Sequence, residues 1–144
     1  MLDTGEGCDV VFNVRGEERF SAHKVILSAR SPVFRSMFVG SDHITSMEPR
    51  VFKSLLHFIY SDTLPEDDTF GANLLAAADE YDIMRLKSIC ESHLWRTNSF
   101  GRFAEILSVA DRCNASALKH LCFKYAADNY AGNYPFVLFL LILY

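Results

Sequence analysis

The stretch FSAHKVILSARSPVFRSMF, Phe20 to Phe38, decides how the rest of the chain is read. It carries a histidine, several serines and a regular apolar rhythm, so it could be a catalytic segment or a packing and docking surface. Val25, Ile26, Leu27 and Ala29 recur at a spacing that suits a short helix. Ser31 and Pro32 have the form of an N-cap followed by proline at the first helical position, which restarts a helix through Val33, Phe34, Met37 and Phe38. A hydrolase needs a nucleophile, a base and an orienting acid that converge in space. His23 and Ser28 are five positions apart on a helix and point to different faces, and no G-x-S-x-G elbow accompanies them. The expectation is a hydrogen-bonded, structural histidine.

Working outward, the 144 residues suffice for one domain with its own core. Half of them are apolar and 22% are charged, which excludes a disordered polyampholyte. The formal net charge is -4, and Arg15, Arg19, Lys24, Arg30 and Arg35 are interleaved with Glu17 and Glu18. Without a basic stripe, nucleic acid is not the expected partner. The opening residues MLDTGEG lack a basic start or an apolar run, so Cys8, Cys90, Cys113 and Cys122 are expected to be reduced, intracellular thiols in the nucleus, the cytoplasm or both.

Two cofactor chemistries fail on spacing. Gly5 to Gly7 (GEG) precedes a strand instead of following one, which excludes a phosphate-cradling turn. Cys90 and His93 stand at i and i+3, with Cys113, His120 and Cys122 downstream, but His120 and Cys122 diverge by about 200° on a helix. Inert cysteines are expected, with no metal or other cofactor. The nine apolar residues Phe136 to Tyr144 fall short of the roughly 20 that a bilayer span requires, so no membrane span is expected.

CDVVFNV alternates as a half-buried strand, RGEE turns the chain and RFSA returns as its partner. HIT is a candidate short strand, and Pro49 opens a helix in which Val51, Phe52, Leu55, Leu56 and Ile59 repeat. GANLLAAADEYDI and MRLKSICESHLWRT form two helices with almost no linker, and SFGRFAEILSVADRC and SALKHLCFKYAADNY form a second pair. Ser99 is the expected cap of the first helix of that pair, and Asn114 or Ser116 of the second. The fold class is α+β: a small N-terminal sheet, a helical cluster and a C-terminal helical hairpin.

DVVF, the opening stretch, VFKSLLHFIY and LLAAADEYDIMRLKSICESHL, in that order, together resemble the BTB/POZ domain. His23, Leu27, Ser31 and Phe34 meet the pattern H-x-x-x-L-x-x-x-S-x-x-F. AADEYDIMRLKSICE is similar to the subgroup with an upstream MATH domain, the speckle-type POZ proteins and their plant relatives. The resemblance covers about Cys8 to Tyr130. It implies a BTB/POZ domain over 1–97, a 3-box or BACK-like helical pair over 98–131 and an atypical apolar tail over 132–144.

The resemblance further implies a non-enzymatic adaptor that forms homodimers or higher oligomers and docks cullin-3 in a ubiquitin ligase. Substrates would be reached only through a MATH domain that this sequence does not include. Leu2, as the remnant of an N-terminal helix, Ile26 and Tyr130 would serve self-association. Asp9 and His23 would be a buried structural polar pair near the dimer interface. Met37, Phe38 and Tyr81 would contact the cullin. Where the family follows its apolar anchor with any residue and a glutamate, this chain has Met37, Phe38 and Val39, and only VGSDHITS then separates Phe38 from MEP. The alternative is a BTB scaffold for self-association, for example in transcriptional regulation, without a cullin. The lack of zinc-finger C-x-x-C spacing and of a basic arm counts against the transcriptional version.

Overall fold

The computed structural model describes residues 5–16, 18–39, 44–64, 71–97 and 103–130, with the side chains of residues 44, 103, 129 and 130 excepted. The chain divides into two compact units, Met1–Cys90 and Glu91–Tyr144, and the boundary falls inside a helix.

The first unit starts with a hairpin of β1 (Val10–Val14) and β2 (Glu18–Ala22). In β1 the residues Val10, Phe12 and Val14 are buried while Val11 is exposed, as an alternating strand requires. Arg15 and Gly16 both adopt positive φ at the turn, a conformation that glycine takes at no steric cost. β1 and β2 pair antiparallel from Val10 opposite Ala22 to Val14 opposite Glu18. The chain then forms α1 (Lys24–Arg30) and α2 (Pro32–Met37) before β3 (Ile44–Thr45) returns parallel to β1, giving the sheet order β2-β1-β3.

Helix α3 (Pro49–Ser61) begins with proline at its first position, where no intrahelical donor is needed. It buries Val51, Phe52, Leu55, Leu56, Phe58 and Ile59, so the apolar spacing seen in the sequence becomes the core face. It ends at Asp62, whose φ of 57° stops the helix without a glycine. The Asp62 carboxylate holds Arg30 and Arg85 at 2.9 Å each, tying the end of α1 and the backbone around Arg85 to that turn. Helices α4 (Ala72–Glu80) and α5 (Met84–Arg96) follow, separated by Tyr81, Asp82 and Ile83. Phe12 is the hub of the core: its ring lies 5.6 Å from Phe34 and 5.1 Å from Phe52, and Phe20 adds a further edge contact to Phe52 at 5.5 Å.

The second unit contains the end of α5, α6 (Phe103–Arg112) and α7 (Ser116–Tyr130). Ile106, Leu107, Ala110, Leu118, Cys122 and Ala126 are buried, and Trp95 meets Tyr125 edge-on at 6.1 Å. The expected local cap of α7 is corrected. Asn114 sits in the left-handed turn before the helix, and Ser116 is already its first residue. The first-turn amide of Leu118 is instead capped by Glu91 of α5, at 3.0 Å. Ser99 lies outside the described residues.

Candidate partner-docking site

Ser31 is the joint on which the opening stretch turns. Its hydroxyl accepts from the Phe34 N–H at 3.2 Å and donates to the Tyr81 carbonyl at 2.5 Å, so one buried side chain caps α2 and fastens it to the α4–α5 connection. Phe34, one turn on, stacks on Tyr81 with ring centroids 4.4 Å apart and planes 23° apart. Phe34 also stacks with Phe38 at 6.1 Å. This clamp holds the far end of α2 in place while leaving its last side chains open. Met37 and Phe38 are half-buried and Val39 is 91% exposed. Lys24 places its ammonium 5.9 Å from the centre of the Phe38 ring.

Tyr81 therefore requires a correction. It is 2% exposed, stacked on Phe34 and hydrogen-bonded to Thr45, which places it in the core rather than on the open surface that the resemblance implied. Burial pushes its phenol pKa upward, with the Thr45 bond acting in the opposite direction. Tyr81 supports the open end of α2 from beneath instead of forming part of it. The sequence does not reveal this, since an aromatic between two helices suits a surface and a core equally well.

Asp9 and His23 are also corrected. Asp9 is exposed and bonds not to His23 but to the Lys24 N–H, at 2.8 Å, so it caps α1 from across the hairpin. His23 is half-buried and forms its own network at the start of α1. Its ring Nε2 lies 2.8 Å from the Glu6 carbonyl, which can only accept, so Nε2 carries the proton. Nδ1 then accepts from the Tyr60 hydroxyl at 2.8 Å, while the Tyr60 oxygen accepts from the His23 backbone N–H at 2.8 Å. Burial raises the Tyr60 pKa, which keeps that hydroxyl protonated and able to donate. Both ring nitrogens are thus committed to structural bonds, with neither bonded to a serine.

Ile26 is half-buried, and the adjacent Val25 is 79% exposed. Val25 and the exposed Ala29 are one helical turn apart and share a face, so α1 presents a small open apolar strip. Nothing in the sequence pattern singles out Val25. Helical periodicity identifies which residues share a face, but not which of two adjacent faces is covered. Leu2 and the Tyr130 side chain lie outside the described residues. Cys90, Cys113 and Cys122 are buried, and burial pushes the Cys122 thiol up to about 11, which holds it as an un-ionised group. Among the described residues no group of three or more histidine, cysteine or acidic side chains could hold a metal ion. None of the described helices is long and apolar enough to cross a membrane.

The model of the BTB/POZ domain family matches residues 1–98. The chain is 46% identical to BTB/POZ and MATH domain-containing protein 4 of Arabidopsis thaliana, over 90% of this chain and 32% of that protein. It is 43% identical to BTB/POZ and MATH domain-containing protein 6 of the same plant, over 92% of this chain and 38% of that protein. The chain thus spans about a third of the length of these relatives. Among solved structures, the BTB domain of zebrafish PATZ1 matches with a TM-score of 0.59 and 33% identity, covering 66% of this chain and 81% of that one. The chain belongs to the BTB/POZ domain family.

Proposed function

We propose that this chain is the self-associating, cullin-3-docking part of a ubiquitin-ligase substrate adaptor, whose substrates are selected by a MATH domain outside this sequence. The observation that carries the reading is the clamped yet open end of α2. The Phe34–Tyr81 stack fixes the helix from below, while Met37, Phe38 and Val39 leave apolar surface in water. Covering such surface is worth about 25 cal/mol per Å², and a rigid platform lowers the ordering cost of binding. With valine at position 39, burial rather than ion pairing supplies the affinity, and binding is correspondingly insensitive to salt. The Val25–Ala29 strip beside Ile26 on α1 supports self-association through that helix.

Calorimetry with the N-terminal part of cullin-3 tests the docking half. The wild-type chain releases or takes up heat with saturation, and Met37→Asp abolishes it. An absence of heat from the folded wild type would leave the second reading, a self-association scaffold without a cullin, which Val39 in place of a charged contact favours. Sedimentation of Ile26→Lys and Val25→Asp tests the dimer separately. A mass that neither substitution changes would rule out α1 as the interface.

A further inference from the structure

A hollow of about 210 Å³ lies among the β1–β2 turn, the segment that leads from β3 into α3, and α4. That volume falls short of the roughly 300–1,000 Å³ of small-molecule sites. It fits one long side chain. Its apolar lining is Met47, Val51, Ala76 and Ala77, of which Val51 and Ala77 are buried. Its polar lining includes Arg15, Glu48, Asn73 and Glu80, all exposed.

Among the described residues, the two carboxylates of this lining have no side-chain partner in the fold. Asp79 is paired with Lys87 at 2.8 Å, and Asp62 with two arginines, but among the described residues no ion pair or hydrogen bond engages the side chains of Glu48, Glu80 or Asn73. Arg15 spends its Nε on the Ser46 carbonyl at 3.1 Å and forms no ion pair with either glutamate. Two carboxylates against one guanidinium leave the hollow net negative. The two acids are not equivalent. Glu48 is the N-cap residue of α3, at the positive end of a helix dipole that partly satisfies it. Glu80 is the last residue of α4, at a negative helix end with no basic residue in its final turn. An incoming cation relieves that repulsion, and an incoming anion would add to it.

We propose that this hollow receives the lysine or arginine side chain of a partner segment, with its aliphatic stem on Val51, Ala76 and Ala77 and its charge against Glu80. Glu48 contributes less, and Arg15 repels the cation from its own side, which directs it toward Glu80. The site is distinct from the α2 end and does not rest on cullin docking.

The test is a residue-resolved NMR titration of the full ¹⁵N-labelled chain with N-acetyl-arginine amide, alongside N-acetyl-citrulline amide, which has nearly the same shape without the charge. Saturable shifts are expected at the amides of Ser46, Met47, Asn73, Ala76, Ala77 and Glu80 with the arginine probe alone. Glu80→Gln weakens binding about two- to fivefold, in line with an exposed ion pair, Glu48→Gln weakens it less, and Arg15→Gln does not weaken it. The same spectra report whether each variant is folded. An equal response to citrulline, shifts scattered over the surface, or full affinity in a folded Glu80→Gln chain would overturn the assignment.

Discussion

The Glu91 carboxylate accepts a hydrogen bond from the backbone N–H of Leu118 at 3.0 Å, so a side chain near the middle of α5 caps the first turn of α7. Glu91 is buried, and the amide it satisfies belongs to a helix start that lacks an intrahelical partner. A charged acceptor in that position contributes about 1.5–3 kcal/mol. Glu91→Ala is therefore expected to lower unfolding free energy by about 2 kcal/mol, measured by urea denaturation followed through Trp95 fluorescence. Glu91→Gln keeps an acceptor oxygen and should retain at least half of that stability.

Ser31 performs two tasks with one oxygen, capping Phe34 and donating to the Tyr81 carbonyl. Ser31→Ala loses the cap and leaves a buried carbonyl without that donor, at an expected cost of about 2–3 kcal/mol. Ser31→Thr preserves the hydroxyl and should cost less. Thermal melts of the two variants beside wild type measure the difference, and equal melting temperatures would show that the hydroxyl is dispensable.

Tyr81 separates support from contact. Tyr81→Ala removes the ring stacked on Phe34 and should cost about 3–5 kcal/mol, in the range of other buried aromatic truncations. Tyr81→Phe keeps the stack, gives up the Thr45 bond and should cost about 1 kcal/mol. Because the ring is covered, the proposed docking of cullin-3 predicts that Tyr81→Phe binds it as the wild type does in calorimetry. A several-fold loss with the fold intact would mean that the hydroxyl reaches the partner.

Alkaline pH tests the second unit through Cys122. Its thiol is raised from 9.0 to about 11 by burial, so the folded chain holds the proton that the unfolded chain gives up. The contribution is complete below pH 9 and is lost as pH rises toward about 11. At about 1.4 kcal/mol per unit, this amounts to roughly 2–3 kcal/mol over the window. Cys122→Ala should flatten the fall in stability between these pH values. An unchanged slope in denaturation curves at pH 8, 9, 10 and 11 would show that another group governs it.

Much of the fold was legible because its signals are local. Alternation in VVFNV, the Ser31–Pro32 start, the Pro49 start and the spacing from Val51 to Ile59 each depend on a few neighbouring residues, and each element formed where those residues pointed. The exposure of the proposed docking residues was legible only in part. Met37 and Phe38 do end α2 with part of each side chain open, whereas Tyr81, equally apolar and equally close to a helix end, is in the core. Val25 and Ile26 are adjacent in sequence, yet Val25 is the more open.

By itself the sequence determined the order of the elements, the caps built from adjacent residues and the family to which the chain belongs. Those follow from short-range sterics, hydrogen bonding and apolar periodicity, which act within a few positions along the chain. Only the tertiary structure decided which partners lie 15 to 50 residues away: Asp9 with Lys24, Ser31 with Tyr81, Glu91 with Leu118. An unsatisfied helix-end amide must find an acceptor once water is excluded, but its chemistry does not specify which distant side chain will supply one. Packing makes that choice. It also determines which apolar residues stay in water and remain available to a partner.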